Sequence, residues 1–204
     1  MNRDRRIWLT GLIGLIGCGV VIVTHFIAMV LLEGYDPVRE TISDLAAGRY
    51  GWILDIGLVA YAAGILACAF GMQQWALAAG SKRWRTGLIL LGILALDIML
   101  IGVYNEYGNR DPGGVEIHIY LVYILGFGFA LTVAFLGHGL KEIDTNWEPY
   151  SIALAVVWIF LAPPFLFIST NWDGLYERFL AVILVGWTAF IAWLLFQRGR
   201  GKYT

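Results

Sequence analysis

The chain carries the three side-chain types that a serine hydrolase needs. Ser43 offers a hydroxyl nucleophile, His118 offers a base, and Asp44 or Asp111 offers a carboxylate to orient that base. The glycine-flanked sequence that holds the nucleophile on a sharp turn in many hydrolases does not surround Ser43. The residue types therefore allow nucleophilic catalysis, but their order along the chain does not assign it.

The histidines and Asp97, an acidic residue within an apolar stretch, would suit metal binding, haem binding or proton transfer. His25 and His118, together with carboxylates, could hold a metal ion that activates water, but no H-E-x-x-H pattern occurs, so we assign no metal ligands and leave the cofactor open. Haem between these two histidines is disfavoured, because the chain has only 3 histidines and His138 lies far from the other two. Asp97 would suit a proton-coupled carrier, but the paired broken helices of such transporters are not evident.

The composition is that of an integral membrane protein. Of the 204 residues, 59% are hydrophobic and 14% are charged, whereas about a quarter of a soluble domain is charged. The net charge of −1 and the lack of a basic stripe exclude nucleic acid as a partner. We expect membrane lipids as partners, and the composition also allows a lipid-like ligand, a membrane-protein partner or a homo-oligomer.

Six apolar stretches have about the length of ~20 residues that crosses the ~30 Å hydrocarbon layer. We therefore predict an all-α, polytopic fold, in which residues 1–204 form a single six-helix transmembrane domain with a short outer interfacial helix. The predicted spans run from Ile7 to Leu32, Trp52 to Trp75, Thr86 to Tyr104, Ile117 to Gly137, Tyr150 to Ser169, and Leu175 to Phe196.

Basic residues are distributed unevenly between the two ends of these spans. With the N-terminus inside, ten of the 14 Lys and Arg residues lie on the inner side. The positive-inside rule then predicts a multi-pass protein of the plasma (inner) membrane with both termini in the cytoplasm.

The segment between the first two spans predicts the short outer helix. Asp36 followed by Pro37 is typical of a helix N-cap and first turn, and Gly48 is a natural stop. Apolar residues of this segment fall on one side and charged residues on the other, so the helix can lie along the membrane boundary.

Ionisable side chains from several segments reach one level near the outer boundary. A charge there is costly unless it is paired, and Asp44 with Arg178, or Glu177 with His118, are the partners that the sequence offers. We infer an outward-opening polar cavity, which extends to His25 in the first span and Asp97 in the third, both about 10 Å below the outer surface. Its predicted ligand-binding residues are Ser43, Asp44, His118, Glu177, Arg178, His25 and Asp97.

Three short motifs resemble a known family. The stretch from Ile42 to Ala46, the segment from Asp111 to His118, and Gly174 to Arg178 are similar to those of the prokaryotic six-span membrane proteins called domain of unknown function 998. Ala46 stands where that family customarily has glycine. The first motif also has a fainter resemblance to six-span proteins of the Frag1 and DRAM type, some of which are linked to lipid or glycolipid processing. Neither resemblance implies an established activity.

Two functions fit these observations. The first is an outward-facing cavity that binds a lipid or another amphiphile, with Asp44, Arg178 and His118 on its polar head. The alternative is an integral membrane hydrolase, metal-dependent or not, that acts on a lipid-like substrate at the outer leaflet. The sequence leaves open whether the protein is an enzyme.

Overall fold

The computed structural model describes residues 2–104, 115–167 and 171–202. Within these ranges the chain forms no β-strand and seven α-helices. Six described segments are long and apolar enough to cross a membrane, namely every helix except α2, with α6 counted together with the 3₁₀ turn after it. The all-α, six-span architecture predicted from the sequence is thereby confirmed. The helices are α1 (Arg3–Leu31), α2 (Ile42–Ala47), α3 (Gly51–Trp75), α4 (Lys82–Val103), α5 (Val115–Leu140), α6 (Trp147–Leu161) and α7 (Asp173–Gly199).

The fifth transmembrane helix, α6, is shorter than the sequence predicts. It ends at Leu161, and a 3₁₀ segment, Pro163–Phe167, follows it. Proline has no backbone N–H, so two consecutive prolines remove two donors from the α-helical ladder and end it. The predicted end at Ser169 lies outside the described residues.

The helices form an incomplete ring. α1 packs against α3 and α7, and the ring continues from α3 to α4, α5 and α6. Direct packing between α6 and α7 is much less extensive in the described parts of the chain. Near one end these two helices meet through the rings of Trp147 and Phe190, whose centroids are 4.6 Å apart, and near the other the Tyr176 hydroxyl donates to the Leu161 carbonyl oxygen at 2.8 Å.

Small residues allow α1 and α3 to approach each other closely. A Cβ atom at Gly14 would lie 2.6 Å from Cys68 Sγ, and one at Gly17 would lie 2.6 Å from the Ala60 carbonyl oxygen. Such glycines let helices associate where lipid provides no hydrophobic drive.

The two ends of the bundle differ in what they hold. At the first, which we call the terminal end, Arg198 pairs with Asp4 at 3.2 Å, and Arg3 Nε donates to the Gln74 carbonyl oxygen at 2.6 Å. The N-terminus, the end of α3 and the end of α7 therefore lie together. The opposite end, which carries α2, is called the α2 end.

Candidate functional site

The helix that carries Ser43 starts later than the sequence predicts. Its N-cap is Thr41, not Asp36. The Thr41 hydroxyl accepts a hydrogen bond from the Asp44 backbone N–H at 2.9 Å, and the Asp44 carboxylate accepts one from the Thr41 N–H at 2.8 Å. This reciprocal capping box begins α2 at Ile42 and places Ser43 in its first turn.

Arg178 of α7 holds the loop that leads into α2. Its Nη1 donates to the carbonyl oxygens of Pro37 at 2.9 Å, Glu40 at 2.9 Å and Gly174 at 2.7 Å. These carbonyl groups bond to a guanidinium from another helix, so residues 37–40 form a turn and do not extend α2. The sequence predicted an N-cap at Asp36 because the local pattern does not reveal the contact with Arg178.

Tyr35 joins the same arrangement. Its hydroxyl donates to the Thr41 carbonyl oxygen at 2.6 Å and accepts from Arg178 Nη2. Burial raises the pKa of Tyr35 to about 12, and the nearby Arg178 guanidinium opposes this rise only in part. The phenol therefore stays protonated at neutral pH and keeps both hydrogen bonds.

The start of α7 fits closely against the loop. The Leu175 N–H donates to the Val38 carbonyl oxygen at 3.1 Å. A Cβ atom at Gly174 would collide with the carbonyl oxygen of Glu40. Glu177 accepts a hydrogen bond from the Ile42 N–H, so α7 also contacts the first residue of α2.

Ser43 and His118 form a hydrogen-bonded pair, which we call the dyad, at the α2 end. Ser43 Oγ lies 3.1 Å from His118 Nε2, and His118 Nδ1 lies 2.8 Å from the carbonyl oxygen of Tyr104. Tyr104 is the C-cap of α4, where a helix leaves carbonyl groups without intrahelical partners. The end of α4 therefore orients a histidine in the first turn of α5, which is 4% exposed.

This network fixes the tautomer of the neutral histidine. A carbonyl oxygen only accepts hydrogen bonds, so Nδ1 of His118 carries the proton. Nε2 then has a free lone pair that accepts the Ser43 hydroxyl proton. A nucleophile, a base and a group that orients the base are the three parts of an activated serine.

The pair faces a cavity of about 670 Å³ inside the bundle, which residues of all seven helices line. Most of its lining is apolar, in the manner of small-molecule sites that carry a few convergent polar groups. It brings together five of the seven predicted ligand-binding residues, namely His25, Ser43, His118, Glu177 and Arg178.

Comparison with protein families identifies the family of the chain. The family model described as "Protein of unknown function (DUF998)" matches residues 15–194. The chain belongs to this family. The match confirms the resemblance carried by the three short motifs and gives no support to the likeness to Frag1 and DRAM proteins. No curated protein and no solved structure matches the chain.

Two of the predicted ligand-binding residues, Asp44 and Asp97, do not line the cavity. Asp44 is occupied in capping α2. Asp97 lies on α4 with 3% of its surface exposed, and neither carboxylate oxygen has a hydrogen-bond partner among the described residues. Asp111, the other expected orienting carboxylate, is outside the described residues.

The two ion pairs expected from the sequence are replaced by other contacts in the described part of the chain. The Asp44 carboxylate accepts from Thr41, while Arg178 donates to backbone carbonyls. His118 is held by Ser43 and a backbone carbonyl. Backbone groups thus compensate much of the charge and polarity that we expected side chains to pair.

The placement of the possible metal ligands gives no support to the metal and haem alternatives within the described residues. No group of three or more His, Cys, Asp or Glu residues is placed to hold a metal ion in the ranges that the structure describes. Both ring nitrogens of His118 are engaged, by Ser43 and Tyr104. In this arrangement His118 has no lone pair left for iron or zinc.

Tyr104, Tyr35 and Thr41 are positions of the candidate site that the sequence analysis did not include. Tyr104 acts through its carbonyl group, which no residue type signals. Thr41 was detectable, because Thr three residues before Asp44 is the pattern of a capping box.

Proposed function

We propose that this chain is a membrane-embedded serine hydrolase that cleaves an ester of a lipid-like substrate. Ser43 is the nucleophile and His118 is the general base. The observation that carries this proposal is the Ser43 Oγ to His118 Nε2 contact of 3.1 Å, with His118 Nδ1 bound to a carbonyl oxygen, at the wall of a largely apolar cavity.

The proposed reaction has two halves. The Ser43 oxygen attacks the ester carbonyl carbon while His118 Nε2 takes the hydroxyl proton, and His118 then protonates the departing alcohol. A water molecule next attacks the acyl-Ser43 ester with His118 again as base, which releases a carboxylic acid and restores Ser43. The Tyr104 carbonyl keeps Nδ1–H oriented throughout and stabilises the imidazolium that forms.

Arg178 supplies positive charge at the same cavity. Its Nε atom is buried and has no hydrogen-bond partner among the described residues, whereas Nη1 and Nη2 are bound. A fixed cation favours the negative charge that develops on the ester oxygen, or the anionic head of a lipid. We assign this electrostatic role to Arg178 in addition to its contacts with the loop.

A serine-reactive fluorophosphonate tests the proposal on the purified protein in detergent. We expect covalent labelling on the peptide that contains Ser43, and loss of label by at least a hundredfold in Ser43→Ala and tenfold in His118→Gln. Ser81→Ala is the matched control, because Ser81 caps α4 at the terminal end and is remote from the dyad. Unlabelled wild-type protein, or equal labelling of the Ser43→Ala variant, would rule out this nucleophile.

Lipid binding without chemistry is the second candidate. It is favoured by the same cavity, in which Ser43 and His118 would then only close the polar end. Native mass spectrometry that finds a bound lipid together with an unreactive Ser43 would select this function over the hydrolase.

The proposed side of action is the outer leaflet of the plasma membrane, with both termini in the cytoplasm. The positive-inside distribution supports this orientation, and the α2 end would then face outward. In intact cells, a membrane-impermeant maleimide should label Glu33→Cys and spare Ser81→Cys. The opposite pattern would place the α2 end in the cytoplasm.

A further inference from the structure

The cavity has the depth of one membrane leaflet. On α7 its lining runs from Glu177 to Ala189, and twelve residues at 1.5 Å each span about 18 Å. Half of the ~30 Å hydrocarbon layer is about 15 Å, which is the length available to one acyl chain. An acyl chain that starts at the dyad can therefore extend along the cavity in the same direction as the lipid chains of the leaflet.

The deep part of the cavity suits hydrocarbon. The Tyr61 hydroxyl there is bonded to Thr188 Oγ1 at 2.7 Å, and Trp158 Nε1 donates to the Gly126 carbonyl oxygen at 2.8 Å. These polar atoms of lining residues are already satisfied by the bundle. The charged and catalytic groups are at the α2 end, so the cavity has a polar head and an apolar body.

The cavity also communicates with the lipid-facing surface. Phe127 on α5 is 62% exposed and Val182 on α7 is 69% exposed, yet both line it. Ile22 on α1 and Ile159 on α6 share this property. A membrane lipid can therefore reach the dyad sideways from the hydrocarbon layer without passing through water.

Gly126 is placed where a larger side chain would limit the length of a bound acyl chain. It lines the cavity eight residues after His118 on α5, which is about 12 Å deeper. A Cβ atom at Gly126 would meet no atom within 4 Å, so a larger side chain would occupy cavity space and not strain the helix packing. At about 1.3 Å per carbon, the zigzag projection of a ~1.5 Å bond, 12 Å corresponds to roughly nine carbons.

We infer that the cavity selects long acyl chains and that Gly126 is the residue that permits them. The substrate is then an ester of a leaflet lipid, with the scissile carbonyl at Ser43 and an acyl chain of about 14 carbons, the number that fits ~18 Å. This inference rests on the proposed hydrolase for the identity of the bond, but the chain site is testable separately.

Two fluorophosphonates that differ only in alkyl chain, four or sixteen carbons long, provide the test. For each probe the labelling rate of a variant is divided by that of the wild type, which cancels the partition of the probe into micelles. In Gly126→Leu we expect at least a tenfold fall for the long probe and less than a twofold change for the short one. Retained reaction with the short probe also shows that the variant is folded.

Gly92→Leu is the matched control. Gly92 lies on α4, a Cβ there would meet no atom within 4 Å, and it does not line the cavity. Both rates should remain within twofold of the wild type. Equal effects of Gly126→Leu on the two probes, or no effect on either while Ser43 is labelled, would overturn the chain inference and leave the hydrolase intact.

If Ser43 reacts with neither probe, the hydrolase fails and a second measurement decides the chain site. A sixteen-carbon fatty acid with a diazirine at its methyl end should cross-link near Cys18 and Ala189, at the deep end of the cavity, in the wild type, and at least tenfold less in Gly126→Leu. Cross-links confined to lipid-facing residues away from the cavity would reject a chain site of any kind.

Discussion

Replacement of Arg178 by Met should loosen the whole α2 end. The change keeps an unbranched apolar stem but removes the guanidinium that bonds to the carbonyls of Pro37, Glu40 and Gly174. Since the loop at 37–40 leads directly into α2, its release should displace Ser43 from His118. Arg178 would then be a positioning residue as well as a charge at the cavity.

The size of the effect on the free energy of unfolding follows from the number of hydrogen atoms that Arg178 Nη1 can donate. Nη1 carries two, so its three acceptors amount to two full hydrogen bonds, one of them shared. Bonds to charged groups contribute ~1.5–3 kcal/mol each, which gives ~3–6 kcal/mol. Arg178 is only half-buried and water can reach the freed carbonyls, so we expect about 3 kcal/mol, or roughly 6–12 °C in melting temperature for a chain of this size.

The assay combines unfolding in detergent with fluorophosphonate labelling of Ser43. Arg178→Lys should fall between the wild type and Arg178→Met, because lysine keeps the charge but cannot present the planar fork. Tyr35→Phe provides a coupling test, since the tyrosine hydroxyl bonds to Arg178 and to Thr41. Its effect should be smaller in the Arg178→Met background than in the wild type.

Two results would refute this reasoning. If Arg178→Met unfolds within ~0.5 kcal/mol of the wild type, the guanidinium does not hold the loop. If the variant is destabilised as expected but Ser43 is labelled at the wild-type rate in the folded protein, the loop contacts do not position the dyad.

Other predictions concern the same end of the bundle. Because burial raises the pKa of Tyr35 from 10.0 to about 12, its stabilising contribution is fully present below pH 10 and is lost as the pH rises towards 12. Tyr35→Phe should abolish that loss in alkaline melting curves, and an unchanged curve would contradict it. Gly174→Ala should lower stability by about 1–3 kcal/mol because its Cβ meets the Glu40 carbonyl, whereas the open Gly186→Ala should be neutral or stabilising in the same melts. Thr41→Val should cost about 1 kcal/mol by removal of the α2 cap, as measured by chemical unfolding.

The spans were predictable because a single physical quantity determines them. Backbone groups in hydrocarbon must bond within the helix, so apolar length alone marks where a helix must run. The end of α6 was harder, although its cause is local. Two prolines stop the ladder at Leu161, and the apolar residues after them extend the hydropathy signal beyond the helix itself.

The dyad was predictable in its residue types but not in its orienting group. Ser43 and His118 were candidates because their side chains carry the required chemistry. The orienting group was expected to be a carboxylate, Asp44 or Asp111, yet the contact is to the carbonyl of Tyr104. Every helix ends with free carbonyls, so only the three-dimensional placement of α4 beside α5 distinguishes this one.

The depth of a residue along a transmembrane helix can be derived from the sequence. The side of the helix that faces a cavity cannot, because it depends on the neighbouring helices. His25 and Asp97 were predicted at the same depth, and each residue adds 1.5 Å along the axis but 100° around it. His25 lines the cavity, while Asp97 is buried on α4 outside the lining. The rotation of each helix is set by tight contacts such as Gly14 against Cys68, which depend on two distant segments at once. A shared level in the membrane is therefore necessary for a common site but not sufficient, which is why His25 lines the cavity and Asp97 does not.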